Sequence, residues 1–215
     1  MEDAGIVGEC TGTVVHDHWK PYFTYDACTH ALCNAHHLRE LRFIEQQYQQ
    51  SWAQDMAALL LEMKRAVEAT PAPAMCLAPP ERDGFAKRYD EVLQSGLKAN
   101  AALVSPTKGE VKKRGRAKQS PPVNLLRRLR DFKGEVLAFT TDFRVPFDNN
   151  QGERDIGMVQ VKQKVSGGFR TREGAKRFGR IRGDISTARK QAKNVFDAIR
   201  DAFDGHPFIP SSEIQ

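Results

Sequence analysis

The chain has 215 residues, of which 40% are hydrophobic and 28% are charged, and its formal net charge is +6. This length and composition indicate a soluble globular protein of one or two domains that can bury a sizeable core. No apolar run reaches the roughly 18 residues of a membrane helix, and the acidic start shows no signal-peptide pattern, so we expect a cytoplasmic protein with no membrane partner.

The first predicted element is a strand. Thr13, Val14 and Val15 are β-branched and follow Gly12, a pattern typical of a short buried strand. Asp17 falls at the C-terminal end of this strand. The next residues, 18–23, are predicted to leave the strand as a loop.

Helical spacing dominates the middle of the chain. Apolar residues recur every three or four positions across residues 31–69, interrupted near residues 49–51, and again across residues 81–103. Residues 105–122 lack periodicity and are rich in Lys, Arg, Gly, Ser and Pro. Such a segment buries too little apolar surface to offset its ordering entropy, so we predict a mobile basic loop, with a linker between domains as the alternative.

The last third of the chain is also predicted to be largely helical. One helix is expected over residues 124–139 and the last over residues 186–203. Residues 148–150 supply capping side chains for a helix that follows them. Residues 159–165 fit either an extension of that helix or a strand, and residues 166–168 (Ser-Gly-Gly) predict a break.

Positive charge is concentrated in two segments. Six Lys/Arg outweigh one acid over residues 108–118, and twelve outweigh three acids over residues 154–193, so the rest of the chain is acidic. Basic stretches within an otherwise acidic chain favour binding to nucleic acid. A solvated basic face is the alternative interpretation.

Two acids are candidates for catalysis, and each has an ordinary structural explanation. Asp17 ends a strand, where Asp is common before a turn. Glu153 follows the capping residues 148–150, where the dipole of a helix N-terminus favours an acid. Taken singly, neither acid predicts an active site.

Cysteine and histidine are dense between residues 28 and 37. Thiolate and imidazole are the preferred ligands of zinc, so Cys28, Cys33, His36 and His37 form a candidate zinc site. Their spacing matches no standard paired-cysteine motif, and two buried reduced cysteines beside a helix are the simpler interpretation.

Three sequence blocks, in order, resemble the insertion-sequence-66 family of DDE-type DNA transposases. In the first, Asp17, Trp19 and Tyr22 match the family's Asp-x-Trp-x-x-Tyr. The second runs from Cys33 to Arg39 and matches Cys-x-Ala-His-x-x-Arg, and residues 149–154 match Asn-Asn-x-x-Glu-Arg. Residues 166–175 also resemble a downstream Ser-Gly and Gly-Ala block of the family. The resemblance covers about residues 14–37 and 123–200, and the ordered combination is far more specific than any one block.

The resemblance implies a fold and a mechanism. The fold would be a partial RNase H-like α/β fold, helix-rich overall, with strands over residues 1–30, a helical insertion over 31–122 and a C-terminal helical part over 123–215. Asp17 would be the middle catalytic acid and Glu153 the last. In the complete enzyme both would hold two Mg²⁺ or Mn²⁺ ions that assist DNA strand cleavage and strand transfer.

The chain departs from the family pattern at the first acid. That acid lies on the opening strand of the family's fold, whereas only Glu2, Asp3 and Glu9 precede Asp17 here, and none is within a β-rich apolar run. We therefore expect this chain alone to be inactive or weakly active, as a truncated product of a mobile element.

The resemblance also implies partners and further site residues. The partner would be double-stranded DNA, both the element ends and the target, with helper proteins of the same element; a homo-oligomer is left open. The residues expected to line the site are His36, His37, Arg39, Asn149 and Asn150. The residues expected to contact DNA phosphates are Lys162, Lys164, Arg170, Arg172, Lys176, Arg177, Arg180 and Arg182.

Three alternative functions remain open at this point. The first is a non-catalytic DNA-binding remnant of a transposase, which would bind duplex DNA without a metal requirement. The second is a zinc-stabilised interaction module built on Cys28, Cys33, His36 and His37. The third is a nuclease of the same fold, since hydrolysis and strand transfer use the same carboxylate chemistry.

Overall fold

The structure, a computed structural model, describes residues 12–101 and 119–209. The chain divides into two compact units, residues 1–149 and 150–215. Within the described ranges, no helix has the length and apolar character that a membrane span requires.

The first unit begins with two parallel strands, β1 (Thr13–His16) and β2 (Thr29–Leu32). Thr13 pairs with Thr29, and His16 pairs with Leu32. The predicted first strand is confirmed. The expected loop at residues 18–23 is wrong in part, because a 3₁₀ helix forms over Lys20–Thr24 with Pro21 in its first turn, where the missing N–H costs no hydrogen bond.

Five helices complete the described part of the first unit. They are α1 (Asn34–Tyr48), α2 (Ser51–Ala69), α3 (Pro79–Ala99), α4 (Pro121–Asp131) and α5 (Lys133–Thr141). The break between α1 and α2 confirms the predicted interruption near residues 49–51, and Gln49 takes a left-handed φ of 51° there.

Three predicted boundaries in this unit were wrong. The helix expected from residue 31 starts at Asn34, because Ala31 and Leu32 belong to β2. The basic loop was expected to reach residue 122, but Pro121 already begins α4; residues 105–118 of that prediction lie outside the described residues. The single helix expected over residues 124–139 is divided at Phe132, whose φ of −120° and ψ of 32° are not helical.

The core lies among the five helices. Trp52, Met56 and Leu60 of α2 are fully buried, as are Tyr89 of α3 and Leu126 of α4. The Tyr89 hydroxyl donates to the Leu129 carbonyl at 2.8 Å, so the one polar atom of that ring is satisfied inside the core. The strand β2 packs against α5, and the helical core therefore supports the strand pair.

The second unit contains three helices in its described residues. They are α6 (Asn150–Ser166), α7 (Arg172–Lys190) and α8 (Val195–Phe203). Residues 159–165 extend α6 rather than form a strand. The predicted break at residues 166–168 is confirmed, and Gly167 and Gly168 have positive φ values of 67° and 105°.

The last helix, predicted over residues 186–203, is helical except at residues 191–194, so only its continuity was wrong. Residues 186–190 end α7, and residues 191–194 separate it from α8. Ala192 has a φ of 53°, and the Lys193 amide donates to the Ala188 carbonyl at 2.8 Å. The apolar positions 188, 192 and 195 keep helical spacing across this turn, which explains why the pattern did not reveal it.

A glycine in α3 gives a test of the core packing. A Cβ at Gly96 would lie 2.5 Å from Leu126 Cδ2 and 2.9 Å from Trp52 Cδ2. We expect Gly96→Ala to lower the free energy of unfolding by about 1–2 kcal/mol, because overpacking costs more than the roughly 1 kcal/mol gained in helix propensity. Urea unfolding followed by tryptophan fluorescence measures this.

The matched control is Gly84→Ala in the same helix. A Cβ at Gly84 would meet nothing within 4 Å, so this substitution should be neutral or stabilising. Equal stability of the two variants would contradict the packing of α3 against α2 and α4.

Candidate catalytic site

Asp17 is exposed and follows directly after β1, at the carboxyl end of the parallel strand pair. One carboxylate oxygen, Oδ1, accepts a hydrogen bond from the Trp19 backbone N–H at 3.1 Å. This local turn fixes the direction of the carboxylate. The carboxyl ends of parallel strands are where ligands commonly bind in α/β folds, so the position suits a metal or substrate contact.

His18, the next residue, adopts a left-handed conformation with a φ of 71°. Such a φ is uncommon for a residue with a side chain and is held here by its surroundings. The His18 ring packs edge-on against Phe132 at 4.5 Å and Phe23 at 5.5 Å between ring centroids. Burial, with the nearby positive charge of Arg128, lowers the pKa of His18.

His16 and His30 form a hydrogen-bonded pair across the two strands. His16 Nδ1 accepts the backbone N–H of His18 at 3.2 Å, so the neutral His16 ring carries its proton on Nε2. That Nε2 donates to His30 Nδ1 at 3.2 Å. Burial and then His30 lower the pKa of His16 to about 4, which keeps the ring neutral near pH 7.

No sequence motif singles out His16, His18 and His30 as site residues. The available signal was their density, because five of the six histidines of the chain lie between residues 16 and 37. Only the parallel pairing of β1 with β2 brings His16 next to His30.

Cys33 and Asn34 connect β2 and α1 to the segment that precedes α6. The Asn149 N–H donates to Cys33 Sγ at 3.2 Å, and the Asn34 N–H donates to the Phe147 carbonyl at 3.0 Å. The Asn34 side chain donates from Nδ2 to the Val136 carbonyl at 3.0 Å. Asn34 is the variable position in the Cys-x-Ala-His block, so its role was not apparent from the sequence.

The residues that were expected to line the site have different environments. His37 is buried, and its Nδ1 donates to Asn34 Oδ1 at 3.1 Å. His36 is half-buried, whereas Arg39 is exposed and donates from Nε to the Ala35 carbonyl at 3.2 Å. Asn149 is half-buried and ends the first unit.

The candidate zinc ligands do not gather around one point. Cys33 Sγ and a ring nitrogen of His36 lie within 4.8 Å of each other, a separation that suits two ligands of one ion. Within the described residues of the first unit, no third Cys, His, Asp or Glu joins them. Cys28 is buried and forms no disulfide, and the His37 ring is hydrogen-bonded to Asn34.

Glu153 is exposed in the first turn of α6, the first helix of the second unit, and Asn150 is the first residue of that helix. An acid at this position is stabilised by the helix dipole. Asp17 and Glu153 therefore belong to different units of the chain.

The basic side chains of the second unit lie mostly on α7. Arg172, Lys176 and Arg180 are exposed and recur every four residues, so they share one face of the helix. Arg177 is bridged to Glu173 at 3.5 Å. The other candidates for phosphate contact lie on α6, in the break before α7, and on α7: Lys162, Lys164, Arg170 and Arg182.

Comparison with known families decides the identity of the chain. The model of the family described as "Transposase IS66 family" matches residues 3–177, most of the chain. The chain belongs to this family. The matched range includes Asp17, the Cys33–Arg39 block and Glu153, so the resemblance drawn from the sequence is confirmed. Searches of the curated proteins and of the solved structures gave no match.

The buried His37 of this transposase chain contributes to the dependence of stability on pH. Burial, with Arg128 as the next cause, lowers the pKa of His37 to about 3. Because the neutral ring is favoured in the fold, its contribution to stability is complete above the unfolded pKa of about 6.5 and is lost as the pH falls toward 3. Between about pH 6 and 4, the free energy of unfolding of the unsubstituted chain should decrease as the pH is lowered. In His37→Gln this decrease should be smaller by about 1.4 kcal/mol per pH unit.

Urea unfolding at a series of pH values measures this slope. The control is His206→Gln, because the His206 side chain is exposed in the second unit. An unchanged slope in His37→Gln would show that His37 is protonated in the fold at these pH values.

Proposed function

We propose that this chain is the C-terminal part of a DDE-type catalytic domain that acts in metal-dependent DNA strand cleavage and strand transfer during transposition of an insertion sequence. Its membership of the IS66 transposase family over residues 3–177 carries the proposal. The exposed Asp17 at the end of β1 supports it. In this proposal β1 and β2 are part of an RNase H-like sheet, and the helices that follow include the family's insertion.

Asp17 is proposed as the middle catalytic acid and Glu153 as the last. Both side chains are exposed carboxylates, the oxygen donors that hard divalent cations prefer, so the chemistry of the donor set fits Mg²⁺ or Mn²⁺. When bound, two such ions activate the attacking oxygen and stabilise the leaving oxygen.

The protein contributes orientation and charge around these acids. The hydrogen bond from the Trp19 N–H holds the Asp17 carboxylate at the strand end, and the packing of His18 against Phe132 fixes the turn beneath it. The neutral, buried His16 adds no positive charge beside the carboxylate near pH 7. The exposed basic face of α7 would bind phosphates of the duplex.

The sequence supplies candidates for two of the three acids of the family, Asp17 for the middle one and Glu153 for the last. Metal binding can test each of these two acids singly. Metal binding and DNA binding are therefore better readouts for this chain than strand transfer.

Metal binding tests the two acids. Titration of the purified chain with Mn²⁺, with the free ion followed by electron paramagnetic resonance, should show weak binding. Asp17→Asn or Glu153→Gln should each weaken that binding by at least about tenfold, since each removes a charged ligand.

The control for this titration is Asp55→Asn, which removes an exposed acid from α2. Equal loss in the control would mean that Mn²⁺ binds to general surface charge. Stoichiometric zinc that is unaffected by Asp17→Asn and Glu153→Gln would support the zinc-stabilised module instead.

DNA binding tests the basic face of α7. Arg172, Lys176 and Arg180 share this face, so replacing all three by Ala should weaken binding to any duplex. The slope of log K against log salt should become shallower by up to about 3, because each phosphate contact contributes roughly 0.9 to that slope. Fluorescence anisotropy at several salt concentrations measures both quantities.

The control is a second triple variant that removes the same number of positive charges. In it, Arg65, Lys87 and Lys98 of α2 and α3 are replaced by Ala. Equal effects of the two triple variants would contradict a DNA-binding face on α7. Strong duplex binding together with no Mn²⁺ binding at Asp17 or Glu153 would favour the non-catalytic DNA-binding remnant.

A further inference from the structure

The indole side chain of Trp19 lies exposed in the turn that carries Asp17. Trp19 is 51% exposed, whereas Trp52, the other tryptophan of the chain, is 1% exposed in the helical core. The open area of Trp19 is about 100 Å², judged from the 150–250 Å² that an aromatic side chain presents. The packing of the first unit therefore leaves an area of about one indole face uncovered.

This ring is held in place although it is exposed. The Tyr22 N–H donates to the Trp19 carbonyl at 3.0 Å, and the two rings pack edge-on with their centroids 5.6 Å apart. The Tyr22 ring in turn lies 5.0 Å from the ring of the buried His16. Trp19 is thus an ordered platform, and a ligand that stacks on it loses little free energy in ordering the side chain.

The platform and the Asp17 carboxylate belong to one turn. The Trp19 N–H donates to Asp17 Oδ1 at 3.1 Å. Covalent geometry then keeps Trp19 Cβ within about 6 Å of that oxygen. The phosphate and the base of one nucleotide are joined by a single sugar, so they can reach the carboxylate and the ring together.

The surroundings of the ring favour a nucleotide over an apolar protein surface. Asp17 and Lys20, on either side of Trp19 in the sequence, are both exposed and charged. An apolar protein interface uses a contiguous patch on the order of several hundred Å², which charged neighbours interrupt. Lys20 can bind a phosphate as a point charge. One flat ring beside this lysine therefore suits a ligand that has one flat base and one phosphate.

We propose that Trp19 stacks on an unpaired base of the DNA, next to the phosphate that is bound at Asp17. This inference rests on the proposed function and adds the form of the substrate, which is DNA with unpaired bases beside the reacting phosphate. In a paired duplex the faces of internal bases are covered by their neighbours. Only an unpaired base offers an internal face to the indole.

Tryptophan fluorescence in a Mg²⁺ buffer tests the stacking. The purified chain is titrated with a blunt duplex and with the same duplex extended by three unpaired nucleotides at one end. The extended duplex should quench the emission, and the blunt duplex should quench it much less. Trp19→Phe should remove this quenching, because the remaining Trp52 is buried.

Affinity gives a second measurement, by fluorescence anisotropy of labelled DNA. Trp19→Leu keeps an apolar side chain but removes the flat face, so it should weaken binding to the extended duplex by about fivefold to a hundredfold. Its loss of affinity for the blunt duplex should be less than about twofold, because that duplex has no unpaired base to lose. Trp19→Phe should retain most of the affinity for the extended duplex, since phenylalanine also stacks.

The matched control is Phe43→Leu in α1. Phe43 is 50% exposed and packs edge-on against Tyr48, with the ring centroids 6.1 Å apart. This variant should bind both duplexes as the unsubstituted chain does. Equal quenching by the two duplexes, an equal loss for both in Trp19→Leu, or the same loss in Phe43→Leu would each overturn the proposal. Circular dichroism should show unchanged helix content in all three variants, because both substituted side chains are exposed.

The results separate this inference from the proposed function. Suppose that Asp17→Asn weakens Mn²⁺ binding and the triple variant of α7 weakens duplex binding, while the emission of Trp19 is not quenched. The proposed function then stands and the stacking is rejected. If neither duplex binds to the chain, both are rejected.

Discussion

The hydrogen bonds of Cys33 and Asn34 are the constraint on which the candidate site of the first unit depends. Two adjacent residues bind two separate parts of the chain: Val136 of α5, and the segment that contains Phe147 and Asn149. Because β2 ends just before them and α1 begins with Asn34, the strand pair, the helical core and the segment leading to α6 share one fixed point. A buried amide that is hydrogen-bonded in this way restricts the relative positions of its partners more than apolar contacts do.

The turn after β1 is held by packing against the helices. His18 takes a left-handed conformation that costs energy, and its ring is held by Phe132 at the junction of α4 and α5. The same junction breaks a helix that the sequence pattern presents as continuous. The ring of the non-helical Phe132 thus packs against His18 in the turn that follows Asp17. The residue at which the helix breaks is therefore also the one that supports this turn.

The two units differ in how they use apolar residues. In the first unit, Trp52, Tyr89 and Leu126 are buried in one helical core. In the described part of the second unit, the large side chains Phe196 and Phe203 are exposed, although α8 has both ends capped. Exposed large apolar side chains that lie close together are typical of a surface that binds another protein.

The sequence by itself determined the family, the position of Asp17 at a strand end, the start of a helix before Glu153 and the break at Gly167. Each of these rests on local chemistry: β-branched residues, capping side chains, glycine freedom and a specific order of motifs. Only the tertiary structure decided that residues 29–32 form a strand, because four residues with ambiguous spacing become β2 when β1 offers an edge to pair with. The tertiary structure likewise decided where helices break, at Phe132 and at residues 191–194, because apolar periodicity continues through both breaks. It also decided the pairing of His16 with His30, because histidines far apart in sequence meet only when the strands align.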